Sequence, residues 1–348
     1  MRPFAYTRAA DPAAAIHAAG RGGSPSGYAP AAAIVGHAAA PAQYLGGGTT
    51  LLDLMKLDVM RPELLVDINP LADGEAGRIE AGADTLRLGA LVSMADAADH
   101  PEVARDWPAL AQSLALAASP QLRNMARLGG NVLQRTRCPY FRSTDWPCNK
   151  RSPGSGCAAM EGQNRLHAVL GTSDHCIASY PGDFANALLA LDAQVELLGP
   201  EGARTMPVQQ LHRQPGERPQ VETVLARGEM ITAFTVPRRP WFRRSLYLKV
   251  RDRESYAFAL ASAAVALDMA DGQVARSGIA LGGVATLPWR AAAAEKALLG
   301  RRLTAKVAEE AAEAEFAEAV AHEHNAFKLD LGRQVLARAI LQAADLEL

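Results

Sequence analysis

The chain has 348 residues, of which 49% are hydrophobic and 21% are charged. This composition is typical of a soluble globular protein, and the length favours two or three domains. The formal net charge is −1 and there is no basic block, which argues against a nucleic-acid partner. No apolar run reaches the length of a membrane-spanning helix.

The N-terminal sequence MRPFAYTRAADPAAAIHAAG lacks a basic start followed by a continuous apolar core, so we expect no signal peptide. This expectation favours the cytoplasm. A periplasmic location would instead require export together with a partner subunit that carries its own signal.

Composition and hydrophobic periodicity divide the chain into predicted elements. Residues 10–20 predict a short Ala-rich helix, and residues 21–40, rich in Gly, Ala, Pro and Ser, predict a surface insertion. The predicted strands lie at 44–45, 64–69, 85–92, 193–198, 228–237, 245–251, 257–269 and 274–284. The predicted helices lie at 51–59, 108–118, 290–299, 304–321 and 328–346, with one more beginning near Asp183.

Three consecutive glycines, Gly46, Gly47 and Gly48, predict a tight turn between the first of these strands and the helix that Thr49 and Thr50 precede. Glycine has no side chain and adopts positive φ, so backbone N–H groups in such a turn can converge on an anion. The start of the helix adds the positive end of its dipole. The pattern matches neither G-x-G-x-x-G nor the P-loop, so a phosphate site and an ordinary strand–helix turn both stay open.

The segment SPQLRNMARLGGN is a second polar stretch that contains glycine. Gly129, Gly130 and Asn131 could bring the backbone close to a ligand. Arg123 and Arg127 could offset the charge of a phosphate, although solvated surface positions are commoner for arginine.

All four cysteines of the chain lie within 39 positions, at Cys138, Cys148, Cys157 and Cys176. The segment between them is rich in Pro, Gly, Ser and Arg and has no helical or strand period. A loop of this length is unusual inside a compact domain unless something else holds its shape. Four thiolates from one loop suit a metal ion or an iron–sulfur cluster.

Four interpretations of the cysteines stay open on spacing alone. Two disulfides are possible in a secreted protein. A structural zinc usually uses tight C-x2-C pairs, which are absent from this sequence. Iron–sulfur clusters accept looser spacings, and confinement to one segment argues against four unrelated thiols. The spacing therefore favours a cluster without excluding the alternatives.

Two charged residues at predicted elements are candidate ligand contacts. Asp183 begins a predicted helix, where it could cap the helix or accept a hydrogen bond from a ligand hydroxyl. Lys249 lies in a predicted strand and could reach an anionic or electron-rich ligand, although a surface position is commoner for lysine. The strands and then helices around and beyond Lys249 favour an α+β domain. The carboxylates of the Ala/Glu-rich helix at 304–321 are expected on a solvated face and not at a metal site.

Several of these segments occur in an order that resembles a known family. They are QYLGGGTTLLDLMK, QLRNMARLGGN, YPGD, EMITAFTVP and YLKVRDRESYAFALAS. Together they resemble the FAD-binding medium subunit of molybdenum hydroxylases, the xanthine dehydrogenase and carbon monoxide dehydrogenase family. The cysteine segment, with QRTRCPYF, PCNKR and PGSGCAA, resembles the [4Fe–4S]-containing FAD subunits of bacterial periplasmic aldehyde oxidoreductases. The resemblance covers the chain except for residues 21–40.

The resemblance implies an α+β protein of two domains. The first, at 1–225, would be a two-lobed FAD-binding domain of the PCMH type, with residues 135–178 as an inserted [4Fe–4S] cluster loop. The second, at 226–348, would be a C-terminal domain like that of the carbon monoxide dehydrogenase flavoprotein, with an antiparallel sheet and helices.

The resemblance also implies two sets of site residues. Cys138, Cys148, Cys157 and Cys176 would hold the [4Fe–4S] cluster. Arg127 departs from the family pattern, because relatives usually carry Thr or Ser there. The residues implied to bind FAD are Gln43, Tyr44, Leu45, Gly46, Gly47, Gly48, Thr49, Thr50, Leu51, Gly129, Gly130, Asn131, Asp183, Ile231 and Lys249.

The function implied is that of an electron-transfer subunit in a heterotrimeric aldehyde oxidoreductase. A large subunit with the molybdenum cofactor would oxidise the aldehyde, and a small [2Fe–2S] subunit would pass electrons to FAD in this chain and on to an external acceptor. No general base or nucleophile is expected here, because the cofactor supplies the redox chemistry. The alternatives are a stand-alone flavin reductase of the cell-wall-precursor type and a zinc-stapled interaction module.

Overall fold

The computed structural model describes residues 1–21 and 41–347, so the insertion expected at 21–40 lies outside the described residues apart from its first position. Strands and helices are mixed along the chain. The strands are β1 (Ala5–Arg8), β2 (Ala42–Leu45), β3 (Leu64–Asp67), β4 (Ile79–Ala81), β5 (Thr85–Gly89), β6 (Gln194–Gly199), β7 (Gly202–Pro207), β8 (Met230–Pro237), β9 (Ser245–Val250), β10 (Ala261–Ala270), β11 (Gln273–Gly282) and β12 (Trp289–Arg290).

The two longest helices of the described ranges, with 11 and 18 residues, lie near the C-terminal end of the chain. Within the described ranges, none is both long enough and apolar enough to cross a bilayer. The α-helices are α1 (Pro12–Arg21), α2 (Leu51–Lys56), α3 (Met94–Asp99), α4 (Pro101–Asp106), α5 (Pro108–Ala115), α6 (Pro120–Met125), α7 (Leu128–Val132), α8 (Pro139–Arg142), α9 (Phe184–Ala190), α10 (Ala292–Leu298), α11 (Ala305–Glu315) and α12 (Phe327–Ala344).

The first sheet is parallel and has the strand order β1-β3-β2. Parallel neighbours need a crossover, and the triple-glycine turn with α2 provides the one between β2 and β3. At the end of β3, the Asn69 side-chain amide donates to the Gly46 carbonyl at 3.1 Å and to the Asp67 carboxylate at 2.7 Å. These bonds fix the beginning of the glycine turn against the neighbouring strand.

The second sheet is antiparallel, with the order β4-β5-β8-β6-β7. Phe234 of β8 is fully buried, opposite Leu88 of β5 and Val195 of β6. Helices α3, α5 and α9 contribute Met94, Leu110 and other apolar residues to the same core. Because β8 lies in the middle of this sheet, the boundary expected at 225/226 would separate β8 from its two partners. A boundary between β8 and β9 fits the strand pairing better.

The third sheet is also antiparallel and has the order β12-β11-β10-β9. Its buried face, with Val265 and Ile279, packs against α10, α11 and α12. Leu336 and Ile340 of α12 are fully buried there. This arrangement of an antiparallel sheet backed by helices confirms the α+β character predicted for the C-terminal part.

The cysteine segment packs against α2. Phe141 and Ile177 from the segment are buried in one apolar cluster with Leu54 of α2. In addition, Arg142 donates to Asp53 of α2 at 2.7 Å. The segment therefore shares an apolar cluster with the helix that follows the glycine turn, and this packing helps to hold its shape.

Candidate functional site

An open cavity of about 210 Å³ lies between the glycine turn and the beginning of β8 in the second sheet. Three stretches of chain supply most of its wall, namely the turn after β2, the start of α7 and the loop that leads into β8. They are residues 41–44, 46–51, 129–130 and 225–231, joined by Arg127, Leu133 and Arg135 among others.

The glycine turn has no room for side chains. A Cβ atom on Gly47 would lie 1.9 Å from the carbonyl oxygen of Met125, and a Cβ on Gly46 would lie 3.3 Å from Cγ of Arg127. Gly48 has φ of +72°, a conformation that glycine adopts without strain. The three glycines therefore let the backbone itself form the cavity wall.

The backbone amides of this turn lack protein partners. Gly47, Gly48, Thr49 and Thr50 donate no hydrogen bond to any residue within 1–21 or 41–347. Amides that converge without a partner form a favourable site for an anion. This part of the cavity fits the pyrophosphate of a dinucleotide such as FAD.

The second wall is the start of α7. The Gly129 amide donates to the Ala90 carbonyl at 2.8 Å, and a Cβ on Gly129 would lie 3.0 Å from that of Ala90. Gly130 differs, because an added Cβ there would have no atom within 4 Å. Arg127 also borders the cavity and donates to the Leu91 carbonyl at 3.0 Å, so it is not a freely solvated side chain.

The loop before β8 closes the cavity on the third side. The hydroxyl of Tyr44 donates to the Gly228 carbonyl at 2.7 Å, which ties this loop to β2. Burial, helped by the charge of Glu229, raises the pKa of Tyr44 above its ordinary value, so the phenol stays protonated and keeps donating. Glu229 itself is held by the Arg204 guanidinium at 2.5 and 2.8 Å.

The cavity contains most of the residues that the resemblance assigned to FAD. Leu45 and Asn131 fall outside its lining; Leu45 packs against the core around α2, and the Asn131 side-chain amide donates to the Met94 sulfur at 3.2 Å. The assigned residues within the lining are Gln43, Tyr44, Gly46, Gly47, Gly48, Thr49, Thr50, Leu51, Gly129, Gly130 and Ile231.

Asp183 and Lys249 also lie outside the cavity lining. Their side chains form an ion pair, with 2.6 Å between Lys249 Nζ and an Asp183 oxygen, and the Tyr247 hydroxyl donates to the other oxygen at 2.7 Å. Burial and the Asp183 charge raise the pKa of Tyr247 well above its usual value. The Asp183 side chain makes no capping hydrogen bond to α9, and the Lys249 side chain is buried, so the structure supports neither the capping alternative for Asp183 nor a surface position for Lys249.

The four cysteines line a second, smaller cavity. Their thiols are all free of disulfide bonds, and Cys138, Cys148 and Cys176 are buried. Burial raises the pKa of Cys138 to about 12 and also raises that of Cys176. Buried thiols without a metal stay protonated, and metal binding must displace these protons.

The donor set of this second cavity is thiol-rich but is not arranged as a finished single-ion site. Among the residues that the structure describes, no group of three or more His, Cys, Asp or Glu side chains could hold a metal ion. A tetrahedral zinc needs all its sulfurs about 2.3 Å from one point. A cluster spreads its ligands over several irons, so it requires a common cavity and less convergence. Four cysteines that line one cavity are side chains of the kind that ligate iron–sulfur clusters.

Two charged or polar side chains adjoin the cysteines. His167 is buried, and its Nε2 lies 3.2 Å from the Cys138 sulfur. Lys150 also lines the small cavity, and its Nζ lies 3.0 Å from an oxygen of Glu222. The sequence analysis assigned a role to neither residue, because both come close to the cysteines only through the folding of the segment.

The sequence analysis also missed Arg135 and the loop at 225–229. Arg135 lines the large cavity with a side chain only 3% exposed, and its Nε lies 2.6 Å from Glu222. Its position in QRTRC, three residues before the first cysteine, was the available signal. The loop carries no sequence motif, and it is recognised as part of the cavity wall only from the residues that surround it in the folded chain.

Comparisons with known proteins agree with this description. The family described as "FAD binding domain in molybdopterin dehydrogenase" matches residues 24–239, and the "CO dehydrogenase flavoprotein C-terminal domain" matches residues 246–343. The aldehyde oxidoreductase FAD-binding subunit PaoB of Escherichia coli (strain K12) is 46% identical over 87% of this chain and 91% of its own length.

More distant relatives match over most of the chain. The carbon monoxide dehydrogenase medium chain of Afipia carboxidovorans is 28% identical over 80% of this chain and 79% of its own. A solved structure of carbon monoxide dehydrogenase from Hydrogenophaga pseudoflava superposes with a TM-score of 0.73 at 26% identity, covering 98% of this chain and 97% of that one.

The fold and the glycine-lined cavity define a flavin-binding oxidoreductase subunit. The chain belongs to the family of FAD-binding medium subunits of molybdenum hydroxylases, as the order of its sequence motifs predicted.

Proposed function

We propose that this chain is the FAD- and [4Fe–4S]-containing electron-transfer subunit of a molybdenum-dependent aldehyde oxidoreductase. Its partners would be a large subunit with the molybdenum cofactor and a small [2Fe–2S] subunit, in a heterotrimer. Similarity to the E. coli aldehyde oxidoreductase subunit supports the aldehyde as the substrate class.

The observation that carries the FAD part is the glycine turn. Its amides have no partner in the described ranges, and side chains are excluded at Gly47 by the Met125 carbonyl. This chain therefore contributes backbone donors that bind and orient the dinucleotide. FAD, when bound, supplies the redox chemistry between the [2Fe–2S] subunit and an external acceptor.

The observation that supports the cluster is that all four cysteines line one small cavity. Confinement of the cysteines to one segment, and the freedom of every thiol from disulfide bonding, agree with a ligand set. The cluster supplies one-electron redox capacity when bound. The protein's own contribution is to bury the ligands and to place His167 and Lys150 beside them.

The experiment is purification of the tagged chain after expression together with its neighbouring genes. We expect a complex that contains molybdenum and a [2Fe–2S] subunit and that oxidises aldehydes with an artificial electron acceptor. The same chain purified alone serves as the control and should bind FAD without oxidising aldehydes. A chain that has no partners and reduces substrate with NAD(P)H by itself would be a stand-alone flavin reductase and would contradict the proposal.

A further inference from the structure

Arg135 is a buried cation with unused hydrogen-bonding capacity. Its side chain is 3% exposed and it lines the large cavity, yet Nη1 and Nη2 are buried and have no hydrogen-bond partner among the described residues. A guanidinium carries five N–H donors, and buried donors without acceptors are costly. The free end of Arg135 therefore needs an acceptor that residues 1–21 and 41–347 do not provide.

The opposite end of this guanidinium is fixed. Nε donates to Glu222 at 2.6 Å, and the group lies 4.5 Å from the centre of the Phe141 ring. A planar guanidinium held by a carboxylate and an aromatic ring keeps a defined orientation. Arg135 is thus arranged in advance for a ligand and does not have to be ordered by it.

The charge around Arg135 favours an electron-rich ligand. Glu222 is shared with Lys150, whose Nζ lies 3.0 Å from its other oxygen. Arg135 and Lys150 together carry two positive charges against the one negative charge of Glu222. This trio has a net positive charge beside the cavity, and a ligand with acceptor oxygens would offset it.

We propose that Arg135 binds an acceptor oxygen of the flavin nucleotide, and that Glu222 and Lys150 position it. This inference rests on the proposed FAD function and adds a contact from the segment that also carries the cysteines. Acceptor oxygens occur on both the pyrophosphate and the flavin ring. The two have the same chemistry for a guanidinium, so the test must distinguish them.

The test is titration of FAD into FAD-depleted protein, followed by flavin fluorescence. We expect Arg135→Met to weaken FAD binding about tenfold to a hundredfold, the loss typical of a hydrogen bond to a charged group. Arg165→Met is a matched control, because Arg165 also pairs with a carboxylate, Asp252, and lies 5.2 Å from the Phe327 ring, away from the cavity. This control should bind FAD as the parent does.

Binding of two further ligands, ADP and riboflavin, shows whether the acceptor oxygen lies on the pyrophosphate or on the flavin ring. If Arg135 contacts the pyrophosphate, Arg135→Met weakens ADP binding by the same factor as FAD binding. If it contacts the ring, ADP binding is unchanged, while riboflavin binding weakens and the absorption spectrum of bound flavin shifts relative to the parent. Either pattern supports the proposal.

Arg135→Lys is a second variant, which keeps the test valid if Arg135→Met does not fold. Lysine keeps the charge but loses the fork of donors, so a folded Arg135→Lys should still bind FAD less tightly than the parent. If a folded variant binds FAD with the parental affinity and the parental spectrum, the inference about Arg135 is wrong, while the proposed function is unaffected. Failure of the parent protein itself to bind FAD would instead refute the proposed function.

Discussion

Lys249 and Asp183 form a buried ion pair, with 2.6 Å between the ammonium nitrogen and the carboxylate, although 66 positions separate them in sequence. Asp183 immediately precedes α9, and Lys249 lies in β9. Tyr247 of the same strand donates to the second carboxylate oxygen at 2.7 Å. The pair therefore joins the helix of the FAD-binding unit to the first strand of the C-terminal sheet.

Lys249→Met should lower the free energy of unfolding by about 3–5 kcal/mol, because it leaves the Asp183 carboxylate buried without its cation. The double variant Asp183→Asn with Lys249→Met should lose less than the single variant, since it buries no unpaired charge. Urea unfolding of the parent, both single variants and the double variant measures this coupling. Equal stability of Lys249→Met and parent, with loss of FAD binding only, would assign Lys249 to the flavin instead.

Gly130→Ala should weaken FAD binding without destabilising the FAD-free protein. An added Cβ at Gly130 has no protein atom within 4 Å, and the residue lines the cavity, so only a bound ligand can collide with it. We expect FAD affinity to fall roughly tenfold or more, because the added methyl group would overpack the contact between Gly130 and the ligand. FAD titration and thermal unfolding of the depleted protein measure the two effects separately.

Gly47→Ala provides the contrast to this variant. Its Cβ would lie 1.9 Å from the Met125 carbonyl oxygen, so the backbone must move even without ligand. We expect a loss of about 1–3 kcal/mol in the stability of the FAD-free protein, together with loss of FAD. If both glycine variants bind FAD with the parental affinity, this cavity is not the FAD site.

Cys148→Ser should remove most of the iron and acid-labile sulfide while FAD content stays at the parental level. The reason is that a thiolate ligand is lost from the small cavity, whereas the glycine turn is untouched. Ser152→Ala, an exposed position in the same segment, is the control and should retain the cluster. Full cluster content in Cys148→Ser would exclude Cys148 from the ligand set.

His167→Leu should lower the reduction potential of the cluster by on the order of 50 mV, the equivalent of one hydrogen bond. Burial lowers the pKa of His167 to about 4, so its ring is neutral at pH 7 and, with the proton on Nε2, donates to the Cys138 sulfur at 3.2 Å. Hydrogen bonds to cluster sulfurs favour the reduced state. Redox titration followed by electron paramagnetic resonance gives the potential, and an unchanged value would show that the bond is not formed.

Lys328 should make the stability of the protein rise between pH 7 and pH 9. Its side chain is fully buried, and burial lowers its pKa to about 7, well below that of an unfolded lysine. Between these two values the unfolded chain binds the extra proton, so raising the pH favours the folded state. Relative to Lys328→Met, the parent should gain roughly 2 kcal/mol over this interval. Urea unfolding of both proteins at pH 7 and pH 9 tests whether the free energy of unfolding rises with pH. An equal change in both proteins would contradict the prediction.

Local signals in the sequence were sufficient for the glycine turn and for the motif order. The conformational freedom of Gly48 is a property of a short stretch, and a tight turn follows from it. The exclusion of a side chain at Gly47 depends instead on Met125, which is distant in sequence. The C-terminal helices were also predicted from local signals, because α12 carries its apolar period in 18 consecutive residues. Most of their ends shifted by one or two positions, as frayed termini allow, but the helix predicted at 304–321 ends earlier, at Glu315.

Features that depend on distant residues could not be predicted. The pairing of Asp183 with Lys249 and the sharing of Glu222 by Arg135 and Lys150 leave no pattern in the sequence. The polar strand β7 was missed because most of its residues are exposed and show no alternation. The short helix α6 was missed although its capping residue was visible, since the Ser119 hydroxyl accepts from the Leu122 amide at 3.3 Å.

The most direct test of the account is chemical analysis of the chain purified without oxygen. FAD, iron, acid-labile sulfide and zinc are measured per chain, and the state of the iron is checked by electron paramagnetic resonance after reduction. We predict stoichiometric FAD with iron and sulfide in equal amounts and the signal of a reduced [4Fe–4S] cluster. Stoichiometric zinc, or thiols that remain free in protein fully loaded with FAD, would contradict the proposed cluster.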